Sequence, residues 1–184
     1  KPEVVEEIHR RYREAGCDIL KTNTFGANRF KLAGSGHTVE EIVCRAVELA
    51  RRAAGGDGLV ALDIGPTGKL LQPLGDLAFE EAYQAFREMA QAGEKAGADC
   101  ILIEPFSDTY EVKAAVLAAK ESTSLPVIVT MIFDERGKLL TGGDIPAAAA
   151  LLEGLGVDAL GFNCGAGPEQ MKALLPQLLD CCAL

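Results

Sequence analysis

Apolar residues recur at three- and four-residue spacing over six stretches, 2–15, 39–54, 77–96, 108–122, 144–154 and 168–180, and each predicts an amphipathic helix. Between them lie short apolar runs without that period. The runs 59–64 and 127–132 have the length and Val/Ile/Leu content of strands buried on both faces. Three further strands follow a repeated junction: Ala15-Gly16-Cys17-Asp18-Ile19-Leu20, Ala96-Gly97-Ala98-Asp99-Cys100-Ile101-Leu102, and Leu155-Gly156-Val157-Asp158-Ala159-Leu160. In each, the glycine supplies the left-handed residue that closes a helix, the aspartate suits the turn, and an apolar run begins. Asp108 and Asp144 stand at N-cap positions, and Pro168 stands where a first-turn proline is tolerated. The predicted order is α-β-α-β-α-β-α-β-α-β-α.

Strands that alternate with helices imply right-handed crossovers and a parallel sheet, either doubly wound or closed as a barrel. The chemically suggestive segments all follow strands: Thr22-Asn23-Thr24-Phe25, Asp63-Ile64-Gly65-Pro66-Thr67-Gly68, Glu104-Pro105-Phe106-Ser107-Asp108 and Asn163-Cys164-Gly165. In a barrel these ends gather on one face, where the active sites of that fold lie. A doubly wound sheet commonly carries a G-x-G-x-x-G loop after its first strand, and the sequence has none. The expected fold is therefore α/β, an incomplete parallel (β/α)8 TIM-type barrel. About five strands and six helices are present, too few to close an eight-stranded barrel of about 250 residues.

Composition narrows the function. A chain of 184 residues, 48% hydrophobic and 24% charged, has material for one domain with a large core. A formal net charge of −9 argues against nucleic acid, whose binding needs a basic surface. No run approaches the roughly 20 apolar residues of a membrane span, and no targeting segment is visible. The chain opens in a helical pattern, so residues before Lys1 are expected to be missing. Six cysteines in no C-x-x-C or disulfide pattern favour a reducing, cytoplasmic setting, with Cys17, Cys44 and Cys100 expected as small buried hydrophobes.

Glu104 ends the apolar run 98–103, so its carboxylate should emerge in a poorly solvated place and need a partner, as acid, base, ammonium ligand or structural ion pair. Asn23 and its threonine neighbours either orient a small polar substrate or satisfy loop backbone groups. The glycines of 63–68 let backbone amides approach a ligand, or simply punctuate a loop. Cys164 follows a strand on the same face as Glu104, where a thiolate can bind zinc or act as a nucleophile.

Taken together, residues 15–27, the Asp63–Gly68 segment with Pro73-Leu74-Gly75, Glu104–Asp108, Phe133-Asp134 with Leu140–Asp144, and Gly161-Phe162-Asn163-Cys164 resemble, in order, the homocysteine-binding barrel of the zinc-dependent homocysteine S-methyltransferases. The likeness is greatest to their cobalamin-linked methionine synthase branch. It implies methyl transfer to the homocysteine thiol, giving methionine. It also implies zinc held by three cysteines, with Cys164 the first. Glu104 receives the substrate ammonium and is the candidate catalytic residue, while Asn23, Thr24 and Asn163 line the amino-acid site.

Two departures bear on activity. The family's other two zinc cysteines are adjacent in a Gly-Gly-Cys-Cys turn, whereas Cys181-Cys182 ends a helical pattern with no glycines before it. The family's first-strand Asp-Gly element is also absent. Residues 1–184 are thus expected to be a partial homocysteine-binding domain without its first strand and last two βα units, and an inactive fragment that binds zinc weakly or not at all. Cobalamin and methyltetrahydrofolate would act only through other domains of the parent. The competing readings are a non-catalytic small-molecule or protein-binding module, and another barrel enzyme, an aldolase or lyase, using Glu104 as base.

Overall fold

A computed structural model describes residues 1–165 and 167–184. Eleven elements alternate along the chain: α1 (Pro2–Glu14), β1 (Ile19–Lys21), α2 (Val39–Ala54), β2 (Leu59–Ile64), α3 (Phe79–Lys95), β3 (Cys100–Phe106), α4 (Thr109–Ser122), β4 (Val127–Met131), α5 (Ile145–Gly154), β5 (Ala159–Phe162) and α6 (Pro168–Cys181). The order is the one the periodicity predicts, with ends displaced by a residue or two.

The caps account for several of these ends. Asp108 accepts from the amide of Tyr110 at 2.8 Å to start α4, and Asp144 accepts from Ala147 at 3.1 Å to start α5. Thr38 and Glu41 form a reciprocal capping box at the start of α2. At the junctions that close α1, α3 and α5, Gly16, Gly97 and Gly156 have φ of 97°, 91° and 73°, values that side chains rarely adopt.

The junction aspartates have a further role. Asp99 Oδ2 accepts the amide of Val60 at 2.7 Å, and Asp158 Oδ2 accepts that of Val127 at 2.8 Å. Each carboxylate holds the start of the strand before its own, and each is also paired with a cation, Arg51 or Lys120. The third member of the set, Asp18, has a side chain 95% exposed and lies on the outer strand β1.

All five strands are parallel and their spatial order is β1-β2-β3-β4-β5. A doubly wound sheet reverses its strand order at a switch point, and this one does not. Sequential parallel strands joined by right-handed crossovers put every helix on one side, which is the arc of a barrel. The helix-facing side carries the core, with Leu62, Ile64, Phe86, Met89, Ile101, Ile103, Phe106 and Met131 all essentially inaccessible to solvent. Leu62 sits where α3 has Gly93, whose absent Cβ would come within 2.4 Å of the leucine Cδ2. The opposite side is the concave interior of the arc. It presents Ile19, Lys21, Ala61, Asp63, Leu102 and Ile128 to an open cavity of about 770 Å3.

Of the cysteines expected in the core, Cys100 is buried, whereas Cys17 and Cys44 are partly exposed. Cys17 lines the cavity beside the outer strand, where no further strand covers it.

Candidate active site

The site begins with a break in the sheet. The register between β3 and β4 shifts between Ile103 and Phe106, so Glu104 and Pro105 stand in a bulge. Proline has no amide hydrogen for the ladder, and bulges commonly re-aim a side chain at the C-terminal rim of a sheet. Here the bulge carries Glu104, which is only 7% exposed.

The Glu104 carboxylate has partners on both oxygens. Lys21 Nζ donates to Oε1, and Asn163 Nδ2 donates to Oε2 at 3.0 Å. The Asn163 carbonyl oxygen in turn accepts from the Thr130 hydroxyl at 2.9 Å, which fixes the amide's orientation. β1, β3, β4 and the residue after β5 therefore converge on one carboxylate.

β2 adds Asp63, which is 3% exposed. Its Oδ2 lies 3.8 Å from Lys21 Nζ, and its Oδ1 is buried without a hydrogen-bond partner. Burial raises the Asp63 pKa to about 7, with Glu104 adding to the rise and Lys21 opposing it. For Lys21, burial works against the charge, but the Glu104 bond and the fields of Asp63, Glu104 and Cys164 outweigh it and raise the pKa. The ammonium is held charged.

The other sequence-predicted residues fall around this network in different roles. Thr24 is 1% exposed and its hydroxyl donates to the Asp63 carbonyl at 2.6 Å, while Thr22 Oγ1 accepts the Asp63 amide at 3.0 Å. These hydroxyls splice the end of β1 onto β2, and Thr24 gives its hydroxyl hydrogen to the backbone. Asn23, between them, is exposed and lines the cavity. In the loop after β2, a Cβ on Gly65 would come within 2.5 Å of the Phe25 ring and carbonyl, so that close approach serves protein packing. Thr67 donates its amide (2.8 Å) and hydroxyl (2.5 Å) to the buried Glu111 of α4, which anchors the loop.

The sequence reading includes Asp63 in the 63–68 segment without a role for its carboxylate, and it does not name Lys21 as a site residue. Their signals were present: Asp63 interrupts an apolar strand as Glu104 does, and Lys21 alternates with Ile19 on the inner face.

Cys164 follows Asn163, is exposed, and is the sole non-glycine residue with positive φ, 60°, among the described residues. Such a conformation in a bulky residue is held by its surroundings and is enriched at functional sites. Cys181 and Cys182 close α6, with their thiols directed to the carbonyls of Gln177 and Leu184. Among the described residues no group of three His, Cys, Asp or Glu side chains is placed to hold a metal ion. A three-cysteine zinc centre therefore does not fit these residues, and Cys164 stands alone.

Residues 1–183 match the homocysteine S-methyltransferase family. The methionine synthase of Mycobacterium leprae is 36% identical over 193 residues, covering 97% of this chain and 16% of its own length. That of Mycobacterium tuberculosis is 35% identical over 191 residues, with the same coverage, 97% and 16%. The chain thus spans about a sixth of these relatives. The metallated form of the homocysteine methyltransferase MmuM from Escherichia coli superimposes with a TM-score of 0.86 at 25% identity, over 98% of this chain and 69% of that one. On the family match over residues 1–183, with which the sequential parallel arc agrees, this chain belongs to the homocysteine S-methyltransferase family.

Proposed function

We propose that this chain forms part of the homocysteine-binding barrel of a protein that transfers a methyl group to the thiol of homocysteine, giving methionine. The observation that carries the reading is the family match over residues 1–183. The arrangement around Glu104 supports it. A carboxylate 7% exposed, oriented by Asn163 and already bearing one ammonium, suits the cationic end of an amino acid. In the reaction the homocysteine sulfur loses its proton and forms the new S–C bond as the donor's bond to the methyl breaks.

In this reading residues 1–184 are a partial barrel domain. Sequential strand order and coverage of 69% of the MmuM chain support it. Glu104 binds the substrate ammonium, Asn163 holds Glu104, and Asn23 lines the approach. Thr24 contributes through the backbone it ties down. Cys164 would be the one zinc-ligating thiolate these residues offer, and zinc bound there would hold the substrate sulfur as a thiolate at neutral pH. The methyl donor, with cobalamin and methyltetrahydrofolate as in the resembled branch, belongs to other modules of the parent. The proposed setting is cytoplasmic, which the six cysteines in no disulfide pattern favour.

The test is homocysteine binding and methyl transfer by the natural gene product that carries this sequence. Glu104→Gln keeps the shape and removes the charge, and should weaken homocysteine binding about 10- to 100-fold, the worth of a charge-assisted hydrogen bond. Unchanged affinity in that variant would remove Glu104 from the site.

A further inference from the structure

The cation on Glu104 belongs to the protein. Lys21 Nζ binds Glu104 Oε1 and stands 3.8 Å from Asp63 Oδ2, so one ammonium bridges carboxylates from two strands. Its exposure differs from theirs: the lysine side chain is 56% exposed, against 9% for Glu104 and 4% for Asp63. A flexible, half-exposed side chain rests on two buried, rigid ones. Glu104 does not depend on it for orientation, because Asn163, itself fixed by Thr130, holds its other oxygen. Asp63 lines the cavity, and its Oδ1, buried, has no hydrogen-bond donor. The carboxylate pair thus has more acceptor capacity than Lys21 fills.

We propose that Lys21 is the carboxylate-recognising residue of this site: an α-amino acid's ammonium takes the place of Nζ on Glu104 and Asp63, and the released Nζ pairs with the ligand's α-carboxylate. The inference deepens the functional reading above and rests on it. The chemistry requires little movement. The ammonium and carboxylate of an α-amino acid sit on one carbon, so the lysine follows its displaced position by turning its terminal torsions. The resident ammonium also imposes selectivity. A simple amine must displace Lys21 and leaves it without an anion, whereas a zwitterion displaces it and supplies a new one.

The experiment is calorimetric binding to the natural gene product, with two ligand pairs that differ only by the carboxylate. These are L-homocysteine against 3-aminopropane-1-thiol, and L-norvaline against butylamine. The wild-type protein should prefer the amino acid in both pairs. In Lys21→Met that preference should fall about 10- to 100-fold, through weaker amino-acid binding with amine binding kept or improved. Lys21→Arg should restore most of it, which also separates lost recognition from lost folding.

Equal weakening of acid and amine in Lys21→Met would overturn the proposal, leaving Lys21 as a structural counter-ion. So would an undiminished preference, or no binding by any of the four ligands. If norvaline binds as well as homocysteine and Lys21 controls both, the inference stands while the homocysteine reading falls.

Discussion

Asp63 shows how one residue couples the site to stability. Its carboxyl is 3% exposed, with one oxygen unpartnered and a pKa raised from 3.8 to about 7, chiefly by burial. Between these two values the folded chain keeps a proton that the unfolded chain has released. Linkage then makes stability fall as pH rises through that window, with the full cost reached above about 7. The cost is on the order of a few kcal/mol. Asp63→Asn removes the titrating group at nearly constant shape. It should raise the melting temperature at pH 8 and change it little at pH 4. An equal shift at both pH values would show that packing, rather than charge, decides. Cys164 is the other residue held away from its ordinary preference, by its φ of 60°. Nothing in its composition or spacing announced that.

At the scale of elements, the repeated αβ junction is a clamp as well as a turn. Asp99 holds Val60 and pairs with Arg51, so the start of β2 depends on a residue that precedes β3. Asp99→Ala leaves the Val60 amide without its acceptor and should cost about 1–3 kcal/mol, read as a lower urea midpoint. Asp18→Ala offers an internal comparison. Its side chain is 95% exposed and its nearest cation, Arg13, is 3.9 Å away. It should change stability by no more than about 0.5 kcal/mol. Equal losses in the two variants would show that the turn, not the strand clamp, is what the aspartates provide. The β3 bulge is the second element-scale device, since the shift at Glu104 and Pro105 carries the carboxylate that meets Lys21 and Asn163.

At the scale of the whole molecule, a cavity of about 770 Å3 runs from the concave face round the uncovered edge of β1 to α1, with Ile8 and Tyr12 of α1 and Ile19 of β1 exposed along it. With no three-residue metal group among the described residues, the 184-residue chain should retain well below one zinc per molecule after purification. The natural gene product should hold about one, and its Cys164→Ala variant should lose it, both by metal analysis. Stoichiometric zinc in the 184-residue chain would mean that Cys181 and Cys182 reach Cys164, contrary to the placement of their thiols on Gln177 and Leu184.

Helix periodicity, the Gly-x-Asp junctions and the buried apolar runs were enough to determine the element order, the parallel sheet and the rim on which polar residues collect. These properties depend on residues close in the chain. Glu104 was legible for a related reason, because a carboxylate closing an apolar run must find a partner wherever it emerges. Its partners were not legible. Lys21, Asp63, Thr130 and Asn163 come from four other segments, and only the strand register brings them together. The same holds for Thr24, whose sequence allows a substrate contact or a loop backbone contact, and whose hydroxyl meets the Asp63 carbonyl. Local pattern determined where charge and strand would lie along this chain. The tertiary structure decided which charges meet, because Coulomb and hydrogen-bond partners are chosen by distance in space.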